Sequence, residues 1–328
     1  MKKRLLAFLR FTGIEARRIL RFTFRHTFSW YGGLFGFLFL IAVLAWIFVY
    51  VPTIGEAKRI DAVTAEFKTH GCRSIHSEAV SMFETHWLLK HFKLEKKVLQ
   101  RLTFGPGAVV PKAFLEHPPY LPDLSMITFE NSNPTDDEFV WTVRNPAVQW
   151  VILSGEHRVS YHGFHALEAR QAPLSLCLQR SPTIENDLEC LARCELPQLH
   201  SLVLSESELN EKCFDSLSRM TSLIQIAFLE CTGFTTSFTK LDSLRLQSLL
   251  IADRNRKDDS DFLTDEMYRT ISAMTTLEVL TIPYPSRISE REFEALKLLP
   301  HLKHVRGLPP DKQAEFDELI RLRIESTP

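Results

Sequence analysis

LHSLVL at 199–204, LIQIAF at 223–228, LQSLLI at 246–251 and LEVLTI at 277–282 are four copies of one pattern, apolar-x-x-apolar-x-apolar. Each reads as a short strand with one buried face, because successive side chains of a strand point to opposite sides. The same spacing recurs upstream at Leu99–Leu102–Phe104, Leu124–Ile127–Phe129, Val148–Val151–Leu153 and Pro173–Leu176–Leu178. Downstream it recurs at Leu302–Val305–Gly307, where the third apolar residue is missing. The third positions fall at 104, 129, 153, 178, 204, 228, 251, 282 and 307, so every step is 23 to 26 residues except one of 31. The long step holds the polar run RNRKDDSD at 254–261, which reads as an insertion in the loop after a strand.

Between the strands lie helix-like pieces, CFDSL at 213–217, MYRTI at 267–271 and EFEAL at 292–296, each ending six residues before the next strand's first apolar position. One unit is therefore a strand, a turn and a short helix that brings the chain back to its start. A unit of this size has no core of its own and buries its inward side chains against its neighbours. At about 1.5–3 kcal/mol for each fully buried aliphatic side chain, stability comes only from several units stacked together.

Ahead of the repeats, residues 29–52 read SWYGGLFGFLFLIAVLAWIFVYVP without a charge. At about 1.5 Å rise per residue, such a stretch spans a hydrocarbon core of about 30 Å. Trp30, Tyr31, Trp46 and Tyr50 stand where amphipathic rings settle at headgroup level. A cleaved signal peptide would have an apolar stretch of about 7–15 residues and a small-x-small site, which this stretch does not show. Residues 1–28 carry eight basic side chains against Glu15, a net charge of +7, which predicts a cytoplasmic N-terminus and a periplasmic or extracellular C-terminal part. Arg10, Arg17, Arg18, Arg21 and Arg25, with apolar residues between them, either form an interfacial helix on the inner leaflet or serve only to fix this topology.

The whole chain has a formal net charge of −1, so the remainder stands at −8 and offers no basic surface for nucleic acid. The six cysteines, Cys72, Cys177, Cys190, Cys194, Cys213 and Cys231, form no CxxC pair and read as small core residues, with a disulfide involving Cys190 or Cys194 open if the compartment is oxidising.

The repeat resembles the leucine-rich repeat, whose LxxLxL strand is followed by Asn, Cys or a small polar residue. The matching positions here hold Ser132, Ser181, Ser207 and Cys231, but also Glu156, Arg254 and Pro285, which breaks the usual side-chain ladder and its regular curvature. The layout of a basic N-terminus, one membrane helix, a spacer containing HWLLKHF at 86–92 and irregular repeats is similar to membrane-anchored bacterial leucine-rich-repeat proteins. The resemblance implies an α/β solenoid, a horseshoe of short parallel strands with helices on its convex side, preceded by one transmembrane helix. The expected organisation is a basic segment 1–28, a membrane helix 29–52, a helical spacer and N-terminal cap 53–98 with helices near 56–69 and 77–92, repeats 99–308, and a capping helix within 309–328.

In such a solenoid the side chains between the buried positions face the concave surface. The register names Arg101 and Thr103, Met126 and Thr128, Trp150 and Ile152, Ser175 and Cys177, Ser201 and Val203, Gln225 and Ala227, Ser248 and Leu250, Val279 and Thr281, and His304 and Arg306. The expected binding residues are Trp150, Ile152, Val203, Gln225, Leu250 and Val279, an uncharged and largely apolar patch of the kind that marks an interaction site. Irregular repeats would instead leave Trp150 partly buried.

Two histidine groups, His157, His162 and His165 beside Glu156, and His70 and His76 with Cys72, raise a metal-dependent enzyme as an alternative, but neither has the spacing of a standard zinc site. GPG at 105–107 reads as turn chemistry, and no GxSxG, HExxH or P-loop occurs. The reading is a membrane-tethered, non-enzymatic binding module without cofactor or metal, whose partner is a protein or an envelope or extracellular ligand. The structural alternative is a scaffold subunit of a membrane complex, with Gly32, Gly33 and Gly36 as a close-packing helix face.

Overall fold

The computed structural model describes residues 51–81, 95–234, 236–252, 264–283 and 288–326. The basic segment 1–28 lies outside these residues, as does the expected membrane helix 29–52 apart from Val51 and Pro52, with Gly32, Gly33 and Gly36 and the insertion at 254–261. Among the described residues no helix is long and apolar enough to cross a membrane.

Two compact units divide the chain, residues 1–61 with 79–97 and residues 62–78 with 98–328. Helix α1 (Val51–Thr69) runs through the boundary expected at Pro52 and reaches the first expected spacer helix at 56–69. The second expected spacer helix, 77–92, is corrected in part, because Ser77–Ser81 belong to strand β1 (Cys72–Ser81); residues 82–92 are outside the described set. Ile75 and Val80 in this strand are β-branched, which favours a strand over a helix.

In the second unit the repeats follow as strands β2 (Glu95–Phe104), β3 (Met126–Glu130), β4 (Trp150–Ser154), β5 (Leu174–Gln179), β6 (Leu199–Ser205), β7 (Gln225–Leu229), β8 (Ser248–Ala252), β9 (Val279–Thr281) and β10 (His304–Arg306). The ten described strands form one sheet in chain order, and each neighbouring pair from β2 to β10 is parallel. A parallel neighbour requires a crossover, and short helices supply it: α2 (Lys112–Glu116), α3 (Asp136–Arg144), α4 (Tyr161–His165), α5 (Ile184–Arg193), α6 (Glu211–Ser218), a 3-10 turn at Thr236–Ser243, α7 (Asp265–Ala273) and α8 (Glu290–Lys297). The three helical pieces read from the sequence lie in α6, α7 and α8. This α/β arrangement, a long and mostly parallel sheet built from repeated units, resembles a leucine-rich-repeat solenoid.

Five of these helices, α3, α4, α6, α7 and α8, start where a short polar side chain accepts from a free amide of the first turn. Thr135 and Ser289 form capping boxes with Glu138 and Glu292, and Asn210 and Thr264 accept from the amides of Cys213 and Met267. Glu138 does more than cap: its buried carboxylate also accepts from the Val110 amide at 2.7 Å, tying α3 to the preceding repeat.

The core is the stack of strand positions read from the sequence. Leu102, Phe104, Ile127, Val151, Leu153, Leu176, Leu178, Leu202, Leu204, Ile226, Leu249, Ile251 and Leu280 are buried, and Ile282 is buried just past the end of β9. Two copies differ in detail. At the fifth strand Leu174 takes the buried place expected of Pro173, with a register shift between Leu174 and Ser175, because proline is exposed there and has no amide for the ladder. At the tenth, Gly307 adopts φ +96 and buried Leu308 replaces the missing apolar residue.

Both ends of the stack are closed. Phe67 of α1 meets Phe104, Phe114 and Trp141 edge to face, with centroids 5.7, 5.0 and 6.0 Å away. Helix α9 (Pro310–Ser326) is the expected closing helix; it buries Phe316, and its Lys312 lies over the Phe293 ring at 5.1 Å.

Candidate binding surface

Strand register assembles the residues between the buried positions into two rows. One runs Arg101, Met126, Trp150, Ser175, Ser201, Gln225, Ser248, Val279, His304. The other runs Thr103, Thr128, Ile152, Cys177, Val203, Ala227, Leu250, Thr281, Arg306. Trp150 is 36% exposed, so the indole stands on the open face and not in the core. Ile152, Val203, Leu250 and Val279 are half-buried and Gln225 is exposed, donating to Ser248 Oγ at 3.3 Å. Ser201, Cys177 and Ala227, between these larger neighbours, are buried.

Charge is confined to the margins of this face. Arg101 stands at one end and His304 and Arg306 at the other, all exposed. A further margin lies where the strands finish. There the residue following each of β3 to β7 takes a left-handed conformation: Asn131, Gly155, Arg180, Glu206 and Glu230, with φ between 49 and 81. This conformation continues the ladder one step, since each of these amides donates to a carbonyl of the next strand. It also turns the side chains outward into a polar rim. Arg180 Nε donates to Glu206 Oε2 at 2.6 Å and Gln179 to Glu206 Oε1 at 2.7 Å, while Arg73 pairs with Glu130 at 3.4 Å. The hydrogen bond from Arg180, then that from Gln179, holds the Glu206 carboxyl below its usual range. Sequence reading missed this rim because it sits one residue past the alternating pattern.

Immediately behind the rim the small-residue ladder is filled at one of its three expected breaks, Glu156, while Arg254 and Pro285 lie outside the described residues. Glu156 is exposed, and the next residue, His157, turns inward so that its Nε2 lies 3.1 Å from Asp187 Oδ2. Asp187 also accepts from Ser181 Oγ at 2.6 Å, so a buried His–Asp–Ser bridge joins two repeats. The ring Nδ1 of His157 has no hydrogen-bond partner and is buried. Ser207 and Cys231 fill the ladder as expected, donating to the carbonyls of Ser205 and Leu204.

Trp150 is positioned by an unusual buried cation. The Arg170 guanidinium donates to the carbonyls of Val143, Asn145, Pro146 and Val148, and its Nε to that of Ala172. It thereby caps the C-terminus of α3 and pins the turn that leads directly into Trp150. Burial pushes this guanidinium below its ordinary value.

The expected histidine groups do not assemble. His157 is engaged with Asp187, His162 is exposed, and His165 faces Glu168. In the other group, the His70 ring contacts the Glu66 carbonyl and Cys72 donates to that of Thr103. Among the described residues one set of three ligand-type side chains does meet, His165, Glu168 and Cys194, with ligand atoms within 4.8 Å of one another. All six cysteines are free thiols, so Cys190 and Cys194 are not bridged. GPG at 105–107 is a turn, closed by the Ala108 amide on the Gly105 carbonyl at 3.0 Å.

No protein-family model matches the chain, and no curated protein matches it. Among solved structures it is similar to an internalin (inlF) from Listeria monocytogenes, at 11% identity and a TM-score of 0.31, over 66% of this chain and 72% of that one.

Proposed function

We propose that the chain is a non-enzymatic binding module whose open sheet face docks a protein partner. The observation that carries this reading is the uncharged surface formed by the two rows from β3 to β9, with Trp150, Ile152, Val203, Gln225, Leu250 and Val279 along it and charge at its margins. Six strands from β4 to β9, spaced by about 4.8 Å, give a patch about 24 Å long. That extent suits the apolar centre and polar rim of a protein interface better than the enclosed cleft of a small ligand. An exposed tryptophan flanked by aliphatic side chains is the usual anchor of such an interface.

In the same reading residues 29–52 tether the module to a membrane, with residues 1–28 in the cytoplasm and the repeats outside. The support is the charge-free length and the +7 flank. Resistance of the full chain to alkaline extraction from host membranes tests the tether, and release into the supernatant would refute it.

Affinity capture of the full chain from host membranes tests the docking face. Ile152→Asp and Leu250→Asp should each lose a co-purifying protein that the parent retains, because a buried charge without a partner is costly in an interface. Leu298→Asp, at an 81% exposed residue beside α8, should keep it. Equal retention in all three variants would sink the proposal, as would loss only in the third.

A further inference from the structure

On the helical side of the repeats, away from the sheet face, His165, Glu168 and Cys194 form a cluster that the docking reading does not use. His165 ends α4 and Glu168 lies three residues on, with His165 Nδ1 and Glu168 Oε1 2.9 Å apart. Cys194 is the C-cap of α5 in the following repeat. The repeat itself makes the meeting: Glu168 and Cys194 are 26 residues apart, one period, so stacking brings the end of one helical segment beside the end of the next.

From this geometry we infer that His165 Nδ1, a Glu168 carboxylate oxygen and Cys194 Sγ form a site for a divalent cation of the zinc class. The three donors lie within 4.8 Å of one another. Donors around a tetrahedral zinc, at bond lengths of about 2.0–2.3 Å, stand about 3.3–3.7 Å apart. Small side-chain rotations at the surface therefore suffice to close the set. The donor chemistry selects the ion: one imidazole, one thiol and one carboxylate suit a borderline-soft metal, whereas calcium or magnesium requires about six oxygens and finds only Glu168 here.

Supports of the kind that orient metal ligands are already in place. The amide of Glu195, adjacent to Cys194, donates to Glu168 Oε1 at 3.1 Å and so pins the carboxylate beside the thiol. The His165 ring stacks on Tyr161, with centroids 5.7 Å apart and planes at 22°. The Cys194 thiol, which now donates to the Cys190 carbonyl at 3.3 Å, releases its proton to solvent as the sulfur–metal bond forms. His165 is half-exposed, which leaves the fourth position open to water. An ion held there would tie two successive repeats together.

Titration of the reduced full chain with cobalt(II), followed by absorbance, tests the site. One equivalent should bind with tetrahedral visible bands and a sulfur-to-cobalt charge-transfer band in the near ultraviolet, and zinc should displace it. Cys194→Ser should abolish the charge-transfer band, and Cys190→Ser should keep it. His165→Gln and Glu168→Gln, at more exposed positions where folding is not at stake, should each weaken binding at least about tenfold. The inference is overturned if no stoichiometric cobalt spectrum develops. It is equally overturned if the charge-transfer band survives Cys194→Ser, or if affinity is unchanged in both His165→Gln and Glu168→Gln. Because the readout is metal binding, failure here leaves the docking face untouched.

Discussion

Replacing Arg170 with methionine removes a buried guanidinium while keeping most of its apolar stem. In the parent, two of the five carbonyls it serves, those of Val143 and Val148, are bonded in fully buried positions, and the others can be reached by water. Each buried acceptor left without a donor costs about 1–3 kcal/mol, so the two together cost about 2–6 kcal/mol. Against this stands the relief of desolvation, for none of the partners of Arg170 among the described residues is a carboxylate. That relief offsets a few kcal/mol. Setting a relief of about 2 kcal/mol against the mid-range cost of about 4 kcal/mol leaves an expected net loss of about 2 kcal/mol, and it should be local, because repeats are stabilised by their neighbours. Hydrogen exchange read by mass spectrometry should show faster exchange in 136–150 and unchanged protection in 265–283. Arg170→Lys should recover little of the loss, since an ammonium cannot reproduce the guanidinium fork. If Arg170→Met left the protection of 136–150 within about 0.5 kcal/mol of the parent, the reasoning on buried carbonyls would be refuted.

The other expectations concern the ladder, the turns and the thiols. Asp187→Ala leaves the buried His157 ring without its partner and removes the carboxylate that accepts from Ser181, which keeps only Thr183, and should lower stability by about 3 kcal/mol in urea unfolding. Glu185→Ala, which breaks the exposed pair with Lys212, should leave the midpoint almost unmoved; equal effects would show that the buried bridge carries no special weight. Gly233→Ala and Gly107→Ala impose the same left-handed strain, at φ +79 and +75, but only at 233 would a Cβ fall 2.1 Å from a backbone carbonyl, that of Leu209. The first should therefore cost well above the roughly 1–2 kcal/mol expected for the second, and similar melting temperatures would contradict this. Burial, aided by Cys231, pushes the Cys177 thiol up to about 11, and burial does the same to that of Cys231. A folded value above the unfolded one of 9.0 means that this contribution is complete below pH 9 and is lost as pH climbs from 9 to 11. Thermal unfolding across that window should fall less steeply in Cys231→Ala than in the parent, and parallel slopes would exclude the thiols as the cause.

The repeat was legible because its buried positions lie close together in sequence and recur at a near-constant step. A pattern of this kind survives irregular copies, so even the faint ones at Leu99 and Leu124 became strands. Ser77–Ser81 were misread because a short segment with mixed alternation does not distinguish an edge strand from a helix until its partner strand is known. Pro173 was taken for a core position because spacing alone cannot see a one-residue shift, although the missing amide of proline was a warning. The open face was legible position by position, but its rim was not. Arg180, Glu206 and Glu230 adopt a left-handed backbone usually associated with glycine, and nothing in a glutamate or arginine announces it. Contacts between repeats were hidden for a different reason. Arg170 reaches back 22 to 27 residues, His157 and Asp187 are 30 apart, and Cys194 meets Glu168 across 26. Aligning the chain on its own period would have placed these partners side by side, which is the signal that a search among sequence neighbours overlooks.

The central claim, that the open face of the sheet is the docking surface, is tested most directly by photo-crosslinking in the native host. A photoreactive amino acid replaces Trp150 in one variant and Glu294, an exposed residue of α8, in another. A discrete protein adduct from position 150 and none from position 294 is the predicted result, and the mass of the adduct identifies the partner. Adducts at position 294 alone, or at neither position, would contradict the claim.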